Sequence, residues 1–152
     1  MRLSAHMLRQ TGDWLGPLGL SWEAFSLIVT LRRSGKPYEL RPTDLLRESL
    51  LTSGAITNRI DRVAHMGLVK RRPDERDRRG YIIQLTAAGI KLADKAIARH
   101  FSAVNESLDV LSGNEQDQLG KLLSKLLLSF ELGDEKLQTG RVSRAKLRVE
   151  VD

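Results

Sequence analysis

Residues 74–86 read DERDRRGYIIQLT, and shortly before them residues 51–72 read LTSGAITNRIDRVAHMGLVKRR. Two short apolar runs, 67–69 and 81–85, flank a charged and turn-prone segment, and this pattern predicts a two-stranded hairpin with a basic tip. The earlier stretch has the spacing of an amphipathic helix. A helix followed by a basic hairpin is typical of a winged helix-turn-helix. The helix can fill a major groove while hairpin arginines reach phosphates or the minor groove.

The rest of the chain predicts helices around this segment, so the expected fold class is mainly α with a small β-hairpin wing. Capping residues and turn residues give the expected limits: a first helix within residues 1–16, a second from Ser21 to Gly35, a third starting near Pro42, a fourth capped by Thr52 or Ser53 and ending at Gly67, a fifth from Thr86 towards Leu108, and a sixth opened by the capping box Ser112–Glu115.

The fourth helix has a narrow apolar stripe and a wide polar face. The stripe is expected to point inward and contains Ala55, Ile56, Ile60, Val63 and Ala64. The polar face mixes donors and acceptors, as reading of base edges requires, and Asp61 is expected to orient Arg62 or a backbone group. The alternative interpretation is that this is an ordinary solvated helix face. The candidate DNA-binding residues on this helix are Ser53, Gly54, Thr57, Asn58, Arg59 and Arg62.

The sixth helix carries more leucine than one neighbour would bury, with Leu119, Leu122, Leu123, Leu126, Leu127 and Phe130 along one side. A surplus apolar stripe of this kind predicts a partner helix from a second copy of the chain. In the fifth helix, Phe101 is expected to point inward. From Gly133 onward, charges of both signs alternate with few apolar residues, so residues 133–152 are expected to form a mobile tail.

Composition narrows the function classes. The 152 residues carry a formal charge of +6, which favours a polyanionic partner because phosphate neutralisation drives nucleic-acid affinity. There is no cysteine, so disulfides and thiolate metal sites are excluded. No apolar run approaches the roughly 20 residues that span a bilayer, and the N-terminus lacks the apolar core of a secretory signal. We therefore expect a cytoplasmic protein that does not enter a membrane.

Five segments together resemble the MarR (multiple antibiotic resistance regulator) family of winged-helix transcription factors. Residues 20–35 resemble the helix before the DNA-reading pair, 41–46 the first helix of that pair and 53–71 the recognition helix. Residues 74–89 match the family's wing signature, Asp-x-Arg-Asp-x-Arg followed by a strand and Leu-Thr-x-x-Gly, and 111–127 resemble its final dimerisation helix. Two features depart from the pattern: the first helix is short for the family, and the tail after Glu131 is long.

The resemblance implies a homodimeric regulator that binds double-stranded DNA at pseudo-palindromic operators, usually as a repressor. Residues 1–20 and 87–132 would form the helical dimerisation region and residues 21–86 the winged helix-turn-helix lobe. Arg76 would enter the minor groove from the tip of the wing, although a solvated turn arginine is the alternative. Asp74 would orient a wing arginine. Of Arg78 and Arg79, one would pair with Asp74 or Asp77 and the other with phosphate, in an order that the sequence leaves open.

The resemblance also implies a small aromatic or anionic effector and no cofactor. Its candidate pocket residues are His6, Arg9, Trp14, Trp22 and Phe25, with His6 or Arg9 pairing with an anion. Aromatic residues of this kind are more often core or interface anchors than ligand contacts, and that is the alternative here. The three histidines are widely separated, so no metal site is expected.

Two rival functions would require other features of the sequence. A winged helix used for protein interaction should show more apolar exposure on the fourth helix, and its binding to DNA should lack a steep salt dependence. An enzyme is not expected, because the sequence contains no nucleophile–base pair and no phosphate-binding loop.

Overall fold

The computed structural model describes residues 2–48, 53–75 and 77–138. The helices are α1 (Arg2–Leu15), α2 (Trp22–Arg33), α3 (Pro42–Arg47), α4 (Ser53–His65), α5 (Ala87–Leu108) and α6 (Gly113–Gln138), and the strands are β1 (Glu39–Leu40), β2 (Val69–Asp74) and β3 (Asp77–Leu85). A 3-10 turn, Gly16–Leu18, follows α1. The chain divides into two compact units that part between Glu106 and Ser107. The predicted class, mainly helical with a small β-hairpin, is confirmed.

Side-chain caps start the helices that the sequence predicted. The Ser21 hydroxyl accepts a hydrogen bond from the backbone N–H of Ala24 at 3.2 Å, and the Thr86 hydroxyl accepts one from Gly89 N–H at 3.0 Å. These bonds satisfy N–H groups that the first turn of a helix leaves unpaired. At the opposite ends, Gly35 (φ +80°) and Gly67 (φ +71°) adopt the left-handed conformation that ends α2 and α4. These four helix ends are therefore set locally.

In the second unit, Ser112 precedes α6 as the capping box predicts. The Ser112 hydroxyl and backbone N–H both donate to Glu115 Oε2, at 2.7 Å and 2.8 Å. These two bonds stabilise the carboxylate and lower the pKa of Glu115 below its ordinary value. The helix then continues through Gly133 to Gln138, so the predicted start of the tail at Gly133 falls inside α6. A single glycine costs a helix only about 1 kcal/mol, which the following helix-forming residues can offset.

The core of the first unit is built from one side of each element. Its largest fully buried side chains come from α2, α3, α4 and β3: Ile28, Leu31, Leu45, Ile60, Val63 and Ile83. Apolar residues from α1 and α5, among them Leu15, Ala93 and Ala96, join the same cluster. Helix α4 packs against α2, α3 and strand β2, and these contacts hold it in place.

Strand β1 extends the predicted hairpin to a three-stranded antiparallel sheet with the order β1-β3-β2. Glu39 pairs with Gln84 and Leu40 with Ile83. This strand was not predicted from the sequence, because two residues are too few to show the alternation that identifies a strand.

Two predicted inward-facing residues lie on the surface. Ala55 is exposed, because the buried residues Ile56, Ile60 and Val63 centre the stripe of α4 about a quarter of a turn away. Phe101 is 61% exposed, since the buried residues of α5 end at Ala96 and the helix continues beyond that core.

Within the described residues, no single helix is long and apolar enough to cross a bilayer. In the part of the chain that the structure describes, one bent pair of helices, Arg2–Leu18 with Trp22–Arg33, reaches that length and composition together, with a bend of 75° between the two.

Candidate nucleic-acid interface

Helix α4 presents the predicted DNA-reading face to solvent. Ile56, Ile60 and Val63 are 3%, 0% and 1% exposed, so the side of α4 that carries them faces the core. On the other side, the exposed residues are Gly54, Thr57, Asn58 and Arg62, while Arg59 is half-buried. Ser53 is the first residue of the helix. Five of the six predicted residues of α4 are therefore at least partly accessible, and for Ser53 only the position in the helix is described.

A carboxylate from the start of α2 lies beside this surface. A groove of about 270 Å³ is lined by Glu23 and by the α4 residues Asn58, Arg59 and Arg62. The pKa of Glu23 is lowered mainly by hydrogen bonds from its own backbone N–H and from Ser21, and further by the positive charges of Arg59 and Arg62. Glu23 is not among the residues predicted from the sequence. Its negative charge lies beside Arg59 and Arg62 of α4 and would repel a DNA phosphate that approached these cations.

The hairpin contributes cations on both of its faces. Arg71 and Arg72 are consecutive on β2, so their side chains leave the strand on opposite sides. Arg71 Nη2 lies 2.6 Å from Asp61 Oδ1 on α4, and its guanidinium carbon lies 5.0 Å from the centre of the Tyr81 ring. The prediction that Asp61 orients Arg62 or a backbone group is wrong, because the arginine that pairs with Asp61 is Arg71. Arg71 reaches Asp61 because β2 packs beside α4, and this packing belongs to the tertiary structure.

On the opposite face, Arg72 joins the outer two strands across β3. Its Nε and Nη2 donate to the two carboxylate oxygens of Glu39 at 3.1 Å and 2.8 Å, and Glu75 Oε1 lies 3.5 Å from Nη1. Bidentate pairing of this kind fixes orientation as well as charge. The guanidinium of Arg72 therefore links β2 to β1 within the sheet.

Asp74 closes β2 and is almost fully buried, with a side chain 3% exposed. Its described partner is Arg41, whose Nε lies 2.5 Å from Asp74 Oδ2. Arg41 precedes α3 at the N-cap position and is not part of the hairpin. From the sequence, Asp74 is expected to orient an arginine of the wing. Asp74 does orient an arginine, but the one described here belongs to the helix-turn-helix.

The tip of the wing lies largely outside the described residues. Arg76 is not described, and of Arg78 and Arg79 only the backbone, within β3, is described. Their contacts with DNA remain predictions.

Part of the predicted effector pocket forms an aromatic cluster. The Trp14 and Phe25 rings meet edge to face at 5.0 Å, and Trp22 lies 5.4 Å from Phe25. His100 of α5 joins them at 5.5 Å from Trp14 and 5.6 Å from Phe25, a contact that sequence spacing could not reveal. His6 and Arg9 are exposed on α1.

Beside this cluster a groove of about 320 Å³ is lined by Trp14, Pro17 and Leu18, by the cations Lys95 and Arg99 of α5, and by the carboxylates Asp13 and Glu106. The groove therefore offers an aromatic ring and two positive charges to a ligand, with two negative charges in the same lining. Of the predicted pocket residues, Trp14 lines it and His6 and Arg9 do not. Among residues 2–48, 53–75 and 77–138, no group of three metal-ligating side chains is found.

In the second unit, the apolar stripe of α6 lies on the surface. Leu122, Leu123, Leu126 and Leu127 are each between 52% and 59% exposed, and Phe130 is 64% exposed. Such a continuous apolar face is uncommon on a monomer and marks an interaction surface.

A sequence model described as the MarR family matches residues 18–80. The chain belongs to the MarR family. The HTH-type transcriptional regulator PecS of Dickeya dadantii (strain 3937) is 33% identical over 107 residues, which cover 70% of this chain. The HTH-type transcriptional repressor YetL of Bacillus subtilis (strain 168) is 32% identical over 108 residues, covering 71%. This MarR-family chain spans 64% of the length of each relative.

The fold agrees with solved MarR-family structures. The crystal structure of the S. aureus MepR–DNA complex superposes with a TM-score of 0.75 and 23% identity, covering 84% of this chain and 93% of the other. At that identity, the likeness supports the fold.

Proposed function

We propose that this MarR-family chain is a homodimeric transcriptional regulator that binds double-stranded DNA sequence-specifically, acts as a repressor and is released by a small effector in the cytoplasm. The observation that carries the proposal is the exposed polar face of α4 beside a basic hairpin. YetL is named a repressor, and MepR was solved bound to DNA, which supports the same role here.

Each residue set has a role in this proposal. Thr57, Asn58, Arg59 and Arg62, with Ser53 and Gly54 at the start of the helix, would meet the major groove. Arg76, Arg78 and Arg79 would meet the minor groove or phosphates. Since one recognition helix reads only a half-site, the apolar face of α6 would join a second copy. The operator would then be an inverted repeat with half-sites about 10 base pairs apart.

Selection of bound sequences from a random duplex pool, followed by footprinting, tests the proposal. We expect a two-fold symmetric consensus, a binding constant that falls steeply with salt, and minor-groove protections that an Arg76→Ala variant loses. A winged helix that binds protein instead would select no consensus and would show a shallow salt dependence.

The Asn58→Ala substitution is expected to relax sequence preference. An asparagine can pair bidentately with adenine, and a contact of this type contributes about 1–3 kcal/mol of discrimination against a wrong base. Competition binding should therefore show a larger loss for the selected duplex than for random duplex. Asn105→Ala, on the exposed surface of α5, is the control and should change neither affinity. Equal losses for both duplexes would mean that Asn58 contacts only the DNA backbone.

The effector is expected to bind in the groove beside the aromatic cluster. An aromatic carboxylate could stack near Trp14 while Lys95 or Arg99 neutralises its charge. In a Trp22→Phe variant, Trp14 is the remaining tryptophan, so titration with benzoate-type compounds should change its fluorescence and release the selected duplex. Arg99→Ala should weaken both effects in parallel. Release of DNA without a Trp14 signal would place the effector elsewhere.

A further inference from the structure

The hairpin loses its apolar anchorage part-way along its length. On the side that faces the core, Val69 pairs with Leu85, Arg71 with Ile83 and Pro73 with Tyr81. Val69, Leu85 and Ile83 are 3%, 4% and 0% exposed, whereas Pro73 is exposed and Tyr81 is half-buried. Full burial therefore ends at the level of Ile83, and the half-buried Tyr81, which packs against the edge of the core, is the last apolar contact on this side of the hairpin. The segment beyond that level needs another restraint if its direction is to be defined.

Arg71 lies at the point where the burial ends. It is placed opposite Ile83, and its guanidinium extends to Asp61 of α4 while it also packs over the Tyr81 ring. The 2.6 Å ion pair thus connects the recognition helix directly to the projecting part of the hairpin. Both side chains are roughly two-fifths exposed, so the pair contributes little to folding stability. A geometric role is a better account of it than a stabilising one.

Two further arginine–carboxylate pairs hold the same strand. Arg72 binds Glu39 of β1, and Asp74 binds Arg41 at the start of α3. Strand β2 is therefore tied to three different elements of the lobe, and the Asp61–Arg71 pair is the tie to the recognition helix itself.

We propose that Asp61 and Arg71 are positioning residues that set the direction of the wing relative to the recognition helix. This inference rests on the proposed DNA-binding function. Arg71 acts by holding the hairpin, and it is not a phosphate contact. Asp61 increases DNA affinity although its negative charge repels the phosphates, because without it the two contact surfaces no longer reach their grooves together.

The sign of one substitution separates this role from its alternative. If Arg71 were a phosphate contact that Asp61 restrained, then Asp61→Asn would free a cation, remove a negative charge and tighten binding. If the pair positions the wing, Asp61→Asn weakens binding instead. Neutralising either partner should then have the same effect, since each loss breaks the same pair.

The experiment compares wild type, Asp61→Asn, Arg71→Gln, the double variant and Asp61→Glu. Their affinities for the selected duplex and for random duplex are measured over a range of salt concentrations, with thermal unfolding of each protein. Asp109→Asn makes the same charge change at an exposed site after α5 and is the control.

We expect Asp61→Asn and Arg71→Gln each to weaken binding of the selected duplex by about fivefold or more, and the double variant to be no weaker than either, because the two residues are coupled. The salt slope and the melting temperature should stay near the wild-type values. Asp61→Glu should retain much of the affinity, and the protections attributed to the wing should become weaker in the two single variants.

Tighter or unchanged binding by Asp61→Asn would overturn the proposal. So would a salt slope for Arg71→Gln that falls by about one unit, the signature of a lost phosphate contact. A melting temperature that falls in proportion to the affinity would show that the pair maintains the fold and does not position the wing. Failure of the proposed function is a separate result: the wild-type protein itself would show no selective, salt-dependent binding of any duplex.

Discussion

Replacing Gly89 with alanine is expected to destabilise the first unit by about 3 kcal/mol or more, at the upper end of the usual overpacking cost. A β-carbon at Gly89 would lie 2.0 Å from the Leu68 carbonyl oxygen and 2.9 Å from its carbon. Neither atom can move freely, since the Leu68 oxygen accepts hydrogen bonds from the N–H of Thr86 at 3.0 Å and from its hydroxyl at 3.2 Å. Denaturant unfolding at a fixed protein concentration measures the loss.

Gly12→Ala is the matched control for that experiment. Gly12 is exposed within α1, and a β-carbon there would meet no atom within 4 Å. Alanine is the better helix former, so this variant should be stabilised by about 0.5–1 kcal/mol. A Gly89→Ala protein as stable as wild type would show that α5 can move away from the hairpin base at little cost.

Replacing both Leu126 and Leu127 with aspartate is expected to abolish the proposed dimer at micromolar concentration. These side chains are 52% and 57% exposed in the single chain, and burying one large apolar side chain typically contributes about 1.5–3 kcal/mol. Two copies of each would be lost from a symmetric interface, and two new charges per chain would have to be desolvated. Sedimentation should show monomers, and affinity for the inverted-repeat duplex should fall to that of a single half-site.

Leu128→Asp provides a control on the same helix. Leu128 is 57% exposed, as Leu127 is, but at 100° per residue it lies on the side of α6 opposite the stripe. This variant should remain dimeric. Monomers from Leu128→Asp together with dimers from the double variant would mean that the opposite face of α6 forms the interface, and a monomeric wild-type protein would remove the dimer from the mechanism.

Local signals were sufficient for most of the elements. Caps at Ser21, Thr86 and Ser112, and glycines at 35 and 67, act within a few residues of the chain, and the structure has the corresponding helix ends at these positions. The narrow stripe of Ile56, Ile60 and Val63 likewise specified which face of α4 stays accessible, because a helix with one apolar side can pack in only one way. The missed strand β1 depends on pairing with β3, which is distant in sequence, and the exposure of Phe101 depends on where the core beside α5 ends.

The sequence by itself determined the winged helix-turn-helix, the polar face of α4, the basic hairpin and the apolar stripe of α6, since each follows from the period and chemistry of consecutive residues. Only the tertiary structure decided that Arg71 meets Asp61, that Arg72 meets Glu39, that Asp74 meets Arg41 and that His100 joins Trp14. An arginine can pair with any carboxylate within reach. Which one lies within reach depends on strand register and on how the helices pack, and neither is encoded within a single segment of the chain.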